Sequence, residues 1–335
     1  MTRSGPLILL RTPFFGGPVR LDGLPAELRG QFTADQSRSA EADAVIFHLP
    51  DFRASQVRDT PKYPGQLWVL WSLESSVNYP GLADPEFNRH FDLRLSYERT
   101  SDVWSPYLPK LPEWEAAQRL EVPEKTEAAP LVMFQSALID RCGRNAFAAA
   151  LMRQIPVDSY GRVYRNRTLP DDNGRATKLA VIGRYRFCLS LENSRAQDYV
   201  TEKLFDPLMA GTVPVYRGAP NAAEFAPPRS YIDADAHGGA KGLADYLRHL
   251  IDSPSEYEAY FAWRGEPLPP AMREKLDAIA TPGWVRLLEA VASRRKSGRR
   301  GRATLPFGLK AAISARTTRL VRQLTGKPVV KAEIQ

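Results

Sequence analysis

The segment 187–218 constrains the fold more than any other part of the chain. Its pattern predicts a strand, a loop, a helix and a second strand in direct succession. Phe187–Leu191 is one short apolar run and 213–216 is another. Between them a helix is predicted at 201–210, ended by Gly211. This succession predicts part of a parallel α/β sheet.

Other apolar runs bounded by Pro, Asp or Gly are typical of parallel strands that are covered on both faces. Further strands are predicted at 7–10, 44–49, 67–71, 93–97, 131–137, 157–160 and 230–233, and further helices at 145–155 and 243–251. Pro207 should kink or shorten its helix, and 109–130 is predicted to be a linker. Alternating strands and helices in two blocks predict two doubly wound α/β domains facing a cleft, at 1–125 and 130–290. A cleft between such domains is the expected ligand site.

The basic character of the chain belongs to its last segment, 291–335. The formal net charge is +8, from 46 Lys and Arg against 38 Asp and Glu. Residues 291–335 hold 12 of these basic residues and one of the acids, so they carry +11 and the rest carries −3. Arg294 opens a basic cluster, after which Leu309, Ile313, Leu320 and Leu324 share one helical stripe. We expect an anionic membrane as its partner, because no aromatic residues are interleaved with the cluster for base stacking. Nucleic acid or a disordered tail are the alternatives.

The composition of the chain limits the class of protein it can form and the compartment it can work in. Hydrophobic residues make up 43% of the chain, enough for a sizeable core. Two cysteines do not make a disulfide framework and favour a reducing compartment. The apolar run at 7–10 is too short for a signal-peptide core or a membrane span.

Polar side chains cluster in the loop and first helical turn after Phe187–Leu191. They are Glu192, Asn193, Tyr199, Glu202 and Lys203. A lysine in a first helical turn opposes the helix dipole, and a bound phosphate would resolve this conflict; a solvated Glu–Lys pair is the alternative. Glu202 could accept hydrogen bonds from both hydroxyls of a ribose. Ligands of open α/β sheets bind at the carboxyl ends of the strands, so this loop is the predicted ligand site.

Three further residues lie at predicted strand or helix ends. Arg144 follows a glycine at a helix start, where a guanidinium can grip a diphosphate, although a surface arginine is the alternative. Glu74 follows an apolar strand and could act as a general base, or simply meet water. His48 also ends a strand and is predicted to be a core histidine, with a role in binding as the alternative.

Several common motifs are missing from the sequence. It contains no dinucleotide-binding or P-loop glycine pattern and no zinc-ligand spacing. Asp233-Ala234-Asp235 matches the D-x-D of metal-dependent sugar transferases, but three-residue matches are common by chance. We therefore predict no metal site.

Together these residues resemble the α-1,3/4-fucosyltransferases, which use GDP-fucose. The matching runs are WSLESSVNYPGL at 71–82, FDLRLSYERTSDVWSPY at 91–107, PVDSYGR at 156–162 and the segment 187–221 with its E-N-(x)n-D-Y-V-T-E-K-L core. The resemblance implies a GT-B fold, with the acceptor on the 1–125 domain and GDP-fucose on the 130–290 domain. It implies an inverting transfer that needs no cofactor and no essential divalent metal.

The resemblance also implies roles for single residues. Lys203 and Arg144 would contact the diphosphate, Glu202 the ribose, and Glu192 the fucose. Asn193 and Tyr199 would line the donor pocket, and Glu74 matches the proposed base. Family members usually have Pro after that Glu-Ser pair, where this chain has Ser76, so the backbone course there is open.

The resemblance implies an α-1,3-fucosyltransferase acting on O3 or O4 of GlcNAc, or on glucose, in a LacNAc- or lactose-type glycan. Lipopolysaccharide or another surface glycan is the expected product, made at the inner face of the cytoplasmic membrane. A GT-B transferase with another nucleotide sugar, or a non-catalytic membrane- or nucleic-acid-binding protein on this scaffold, are the alternatives.

Overall fold

The computed structural model describes residues 5–22, 24–53, 55, 59–169 and 171–297. The chain divides into two compact units, the first made of residues up to Pro106 and from Thr281 onward, and the second of Tyr107–Ala280. The strands in chain order are β1 Ile8–Leu10, β2 Phe32–Thr33, β3 Ala44–His48, β4 Leu67–Ser72, β5 Leu93–Ser96, β6 Val103–Trp104, β7 Leu131–Met133, β8 Val157–Ser159, β9 Phe187–Leu191, β10 Val213–Arg217 and β11 Ile232–Asp233. The helices are α1 Ala26–Arg29, α2 Pro85–Asn88, α3 Leu111–Arg119, α4 Arg144–Met152, α5 Arg175–Gly183, α6 Glu202–Ala210, α7 Ala240–Asp252, α8 Pro254–Glu258, α9 Pro270–Ala278 and α10 Gly283–Lys296.

The first unit contains a parallel sheet with the strand order β2-β1-β3-β4-β5-β6. Every residue of β3 and β4 is buried, as expected for central strands that are covered on both faces. The second unit contains a parallel sheet with the order β11-β10-β9-β7-β8. Its core joins strand residues such as Phe187 and Val215 to Leu243 and Leu247 of α7.

The two sheets share one strand order. Numbered within its own unit, each sheet begins 2-1-3-4-5, the order of flavodoxin-like folds. In such a sheet the order reverses between the first and third strands, which are β1 and β3 in the first unit and β7 and β9 in the second. The prediction of two doubly wound α/β domains is therefore confirmed.

The unit boundaries differ from the predicted ones at two places. The sequence predicts a linker at 109–130, but this segment contains helix α3. Pro112 lies in the first turn of α3, and the side chain of Trp114 is buried. The Trp114 ring packs edge-on against Phe205 and Trp263 of the second unit, at 6.1 and 5.8 Å between centroids. A hydrophobic anchor of this size holds the segment on that unit.

The second difference is helix α10, which returns the chain to the first unit. Its Trp284 packs against Phe32 and Trp71 at 5.5 and 5.1 Å between ring centroids. Near its end, Arg294 pairs with Asp102 at 2.9 Å and Arg295 pairs with Asp43. The start of the predicted basic tail is therefore the last turn of a packed helix. The stripe from Leu309 to Leu324 lies outside the described residues.

Helix α6 begins and ends where the sequence predicts. Thr201 is its N-cap, and Gly211 follows it in the left-handed conformation, with φ of 73°. Pro207 was expected to kink or shorten the helix, and it does not shorten it, because α6 continues to Ala210. Thr212 donates its backbone N–H to the Pro207 carbonyl at 2.9 Å, which helps to close the helix end. Among the described residues, none of the helices is both long and apolar enough to cross a membrane.

Candidate active site

The carboxyl ends of β7 and β9 lie at the point where the strand order of the second unit reverses. Glu192 and Asn193 follow β9 directly, and the loop after β7 leads into Arg144 at the start of α4. Because β7 and β9 are parallel neighbours, these side chains come to the same edge of the sheet. Gly218 directly follows β10 beside them, and a Cβ added there would lie 2.5 Å from Cγ of Glu192.

Glu192 holds the start of helix α6. Its Oε1 accepts hydrogen bonds from the Thr201 backbone N–H and from the Thr201 hydroxyl, both at 2.8 Å. Its Oε2 lies 3.2 Å from Nζ of Lys203. Glu192 is fully buried, and this burial raises the pKa of its carboxyl, with Lys203 opposing the shift. The resemblance places Glu192 near the fucose, whereas its carboxylate here contacts Thr201 and Lys203 at the start of α6.

Lys203 lies between two carboxylates. Its Nζ is 3.2 Å from Glu202 Oε1 as well as from Glu192, and 3.0 Å from the Thr201 hydroxyl. Burial would lower the pKa of Lys203, but the charges of Glu192 and Glu202 outweigh it and raise the pKa. Lys203 is therefore a charged ammonium at neutral pH, with its side chain 20% exposed.

Glu202 is the more open of the two carboxylates, with 44% of its side chain exposed. Burial pushes its pKa up, but the charges of Lys203 and Lys178 outweigh this and hold the pKa at about 2. An ionised, exposed carboxylate can accept hydrogen bonds from ligand hydroxyls. Lys178, Ser190, Glu202 and Lys203 line one small depression.

Arg144 is buried beneath the loop that follows β7. Its Nη2 donates to the carbonyls of Ala137 at 2.6 Å and Ile139 at 2.9 Å, and its Nη1 donates to the Leu191 carbonyl at 3.1 Å. Its Nε has no hydrogen-bond partner among the described residues. The guanidinium therefore joins this loop to the end of β9. To bind a diphosphate directly, as predicted, its Nη groups would have to share or break their hydrogen bonds to these carbonyls.

Asn193 and Tyr199 lie in the loop between β9 and α6, and both are almost fully buried. The Asn193 carbonyl accepts the Arg141 backbone N–H at 3.0 Å, and the Tyr199 ring meets Tyr107 edge-on at 6.3 Å. The structure thus brings all six predicted donor residues to one edge of the second unit. Their roles toward a ligand stay predictions.

Glu74 lies in the first unit, just after β4, and is buried. The Ser72 hydroxyl donates to the Glu74 carbonyl at 3.0 Å and accepts the Glu74 N–H at 3.2 Å, which fixes the turn. Ser76 donates its backbone N–H to the Tyr97 hydroxyl at 3.1 Å. A proline at this position could not make that bond. The hydrogen bond from Ser76 to Tyr97 therefore helps to fix the backbone here, and the proline that the resemblance leads us to expect at this position could not form it.

His48 is a core histidine, as predicted. Its Nδ1 lies 2.8 Å from Asp51 Oδ2, and its ring lies 4.6 Å from both the Phe14 and the Trp71 ring centroids. Asp51 also accepts the backbone N–H groups of Phe15 and Gly16. The histidine and its carboxylate partner therefore shape the turn after β1.

The Asp233-Ala234-Asp235 motif is occupied by contacts within the protein. Asp233 caps a short turn by accepting the Asp235 N–H at 3.0 Å, and each oxygen of the Asp235 carboxylate meets an arginine. No cluster of His, Cys, Asp and Glu that could hold a metal occurs among the described residues.

Two parts of this site escaped the sequence analysis. Thr201 stands directly before Glu202-Lys203, where a threonine is a recognisable helix N-cap. Asn221 pairs with Asp198 across 23 residues, and nothing in the local sequence signals such a contact between two loops.

Comparison with known proteins decides the family. A model described as "Glycosyltransferase family 10 (fucosyltransferase) C-term" matches residues 122–300, and one described as "Fucosyltransferase, N-terminal" matches residues 3–108. The chain belongs to glycosyltransferase family 10. This confirms the resemblance to the fucosyltransferases, and the family 10 protein is an enzyme that transfers a sugar.

Relatives of this family 10 protein cover most of its length. The 4-galactosyl-N-acetylglucosaminide 3-alpha-L-fucosyltransferase FUT6 of Gorilla gorilla gorilla is 34% identical over 275 residues, which are 78% of this chain and 74% of that protein. The 3-galactosyl-N-acetylglucosaminide 4-alpha-L-fucosyltransferase FUT3 of Homo sapiens is 34% identical over 276 residues, 78% of this chain and 73% of that protein.

Solved structures agree on the fold. A crystal structure of an alpha1,3-fucosyltransferase aligns with a TM-score of 0.59 at 16% identity, covering 87% of this chain and 92% of that one. A crystal structure of an alpha1,3-fucosyltransferase with GDP-fucose aligns with a TM-score of 0.55 at 17% identity, covering 84% and 91%. The GT-B fold class predicted for the family 10 protein is therefore confirmed.

Proposed function

We propose that this family 10 fucosyltransferase moves L-fucose from GDP-fucose to O3 or O4 of GlcNAc, or to glucose, in a LacNAc- or lactose-type glycan. Two kinds of comparison support the proposal. The relatives carry names of 3- and 4-fucosyltransferases of galactosyl-N-acetylglucosaminide, and solved neighbours hold GDP and GDP-fucose. The observation that carries the proposal is the position of Lys203 in the first turn of α6, with its ammonium 3.2 Å from both Glu192 and Glu202.

The donor's diphosphate would bind at Lys203 and the first turn of α6. The ammonium and the helix N-terminus both attract anions, and Lys203 retains a partly exposed surface toward a ligand. Ionised Glu202 would accept the ribose hydroxyls. Arg144 would add its positive charge from beneath the loop, and Asn193, Tyr199 and Glu192 would shape the pocket around the donor.

The transfer would be a single displacement with inversion. Glu74 takes the proton of the acceptor hydroxyl as that oxygen forms its bond to the anomeric carbon of fucose. The bond from that carbon to the diphosphate oxygen breaks, and GDP leaves with the bonding electron pair. Lys203 and Arg144 stabilise the negative charge that grows on the leaving diphosphate, which is the task a metal ion performs in other transferases. We therefore propose that no divalent metal is required.

Thermal unfolding in EDTA tests the donor nucleotide and the metal together. GDP should raise the melting temperature, because a ligand that binds only the folded state stabilises it, and UDP and CMP at equal concentration should raise it less. A larger shift with UDP would reassign the donor. A GDP shift that appears only when Mg²⁺ or Mn²⁺ replaces EDTA would contradict metal-free binding.

We also propose that the basic tail 291–335 brings the enzyme to the inner face of the cytoplasmic membrane, where it would modify lipopolysaccharide or another surface glycan. The charge of +11 on this segment supports an anionic lipid surface as partner. No nucleic-acid partner is expected. Because Arg294 and Arg295 already pair with Asp102 and Asp43, the residues beyond Ser297 would carry most of this interaction.

A truncated chain that ends at Ser297 tests the tail. It keeps α10 with its buried residues, so its turnover on a soluble acceptor should match the full chain. Full-length protein should co-sediment with vesicles containing phosphatidylglycerol and not with pure phosphatidylcholine, and the truncated chain should lose this binding. Equal sedimentation of both chains with the anionic vesicles would remove the tail from the role.

A further inference from the structure

Asp235 joins two arginines that belong to different elements of the second unit. It lies in the short turn Ala234–His237 after β11. Its Oδ2 is 2.8 Å from Nη1 of Arg195, and its Oδ1 is 2.8 Å from Nε of Arg217. One carboxylate is therefore the junction of a three-charge network.

The two arginines connect the parts of the proposed donor site. Arg195 lies two residues after Asn193, in the loop between β9 and α6, which we call the donor loop (192–201). Arg217 ends β10, donates from Nη1 to the Cys142 carbonyl at 2.9 Å, and places its guanidinium 5.1 Å from the Phe147 ring centroid. Asp235 thus links the donor loop to the start of α4, where Arg144 lies.

The donor loop has a second restraint, three residues further on. Asp198 adopts φ of 63°, a left-handed conformation that is unfavourable for a residue with a side chain. Asn221 holds it there, because the Asp198 N–H donates to Asn221 Oδ1 and the Asn221 amide donates to Asp198 Oδ1, both at 2.9 Å. Tyr199 follows at once. The donor loop is therefore restrained at two positions, Arg195 and Asp198, before the chain reaches Tyr199 and α6.

We propose that Asp235 is a positioning residue of the donor loop: by holding Arg195 and Arg217 together, it fixes the loop in the arrangement that binds the nucleotide sugar. This inference rests on the proposed function of the loop. A loop that is ordered before binding does not have to lose that freedom when the ligand arrives, and affinity rises accordingly. The three-residue motif that resembles a metal site would thus serve donor binding through arginines.

The exposure of the network separates this role from a purely structural one. The side chains of Arg195, Asp235 and Arg217 are 45%, 34% and 17% exposed. Ion pairs this open contribute little to folding stability. Loss of Asp235 should therefore change donor binding while leaving the melting temperature nearly unchanged.

Asp235→Asn tests the proposal, with Asp245→Asn as the matched control. Asp245 lies on α7 and also meets two cations, Lys241 at 2.8 Å and Arg248 at 2.7 Å, but both of these partners lie on α7 and not in the donor loop. Asp235→Asn should raise KM for GDP-fucose and the calorimetric Kd for GDP by about tenfold, with kcat within about twofold. Asp245→Asn should match the wild type in all three.

Arg195→Ala is a second, independent test of the network, because it removes only the more exposed of the two arginines that pair with Asp235. It should raise KM in the same direction, and the double variant Arg195→Ala/Asp235→Asn should be no worse than Asp235→Asn alone. KM and Kd equal to those of Asp245→Asn in both single variants would overturn the inference while leaving the donor site intact. Failure of the wild-type protein to bind GDP would instead overturn the proposed function.

Discussion

Glu74→Gln should lower kcat by about 10²–10⁴-fold, the range that general base catalysis contributes. Glutamine has the shape of glutamate but cannot take a proton from the acceptor hydroxyl. Glu74 is in the first unit, whereas the proposed donor residues are all in the second, so the Kd for GDP should stay within about twofold of the wild type. The measurement is initial rates with GDP-fucose and LacNAc, together with calorimetry of GDP.

Glu86→Gln is the matched control for this variant. Glu86→Gln is the same substitution of glutamate by glutamine, in the same unit. Glu86 lies on α2, where its side chain is 58% exposed and pairs with Arg89 at 2.9 Å. Its turnover should equal that of the wild type. If Glu74→Gln also turns over at the wild-type rate, another group must accept the proton and Glu74 is not the base.

Lys203→Ala should raise the Kd for GDP by about 30- to 5,000-fold, which corresponds to the roughly 2–5 kcal/mol lost when one partner of a hydrogen-bonded charge pair is removed. The diphosphate would lose its nearest cation, and the buried Glu192 would lose its counter-charge. The second effect should also lower the melting temperature, because it leaves an unpaired buried carboxylate. Calorimetry of GDP and thermal unfolding separate the two effects.

Two further variants keep this prediction testable if Lys203→Ala folds poorly. Lys203→Arg retains the positive charge and should bind GDP more tightly than Lys203→Ala. Lys241→Ala removes an ion-paired lysine that is 79% exposed on α7, and its Kd for GDP should match that of the wild type. Unchanged GDP affinity in a folded Lys203→Ala variant would refute the diphosphate assignment.

Much of the fold was predictable because its strands are buried on both faces. Short apolar runs mark β3, β4 and β9 almost to the residue, and Gly211 marks the end of α6. The register of neighbouring strands and the shared 2-1-3-4-5 order were not predictable, since they depend on contacts between distant segments.

Helices α3 and α10 show why composition misleads at domain boundaries. Residues 111–119 are rich in Glu and Ala, but Trp114 alone provides an anchor that a linker lacks. Helix α10 ends in three basic residues that suggest a tail, while Trp284 and Val291 on its other turns are buried. In both, a few large apolar side chains decide where the segment packs.

The candidate site was predictable as a set of residues but not as a set of contacts. The E-N-(x)n-D-Y-V-T-E-K-L core placed Glu192, Asn193, Tyr199, Glu202 and Lys203 in one loop and turn, and the structure brings them to one sheet edge. The partners of Arg144 and Asp235 were hidden, because both side chains reach carbonyls or arginines from other parts of the chain. A sequence shows which charges are present, and only the fold shows which of them are already paired.

We propose that the start of α6, with Lys203, holds the diphosphate of GDP-fucose. A crystal structure of the protein soaked with GDP tests it most directly. Phosphate oxygens should lie within hydrogen-bond distance of Lys203 Nζ, and the ribose hydroxyls should donate hydrogen bonds to Glu202. Nucleotide bound elsewhere, with Lys203 still held only by Glu192, Glu202 and Thr201, would contradict it.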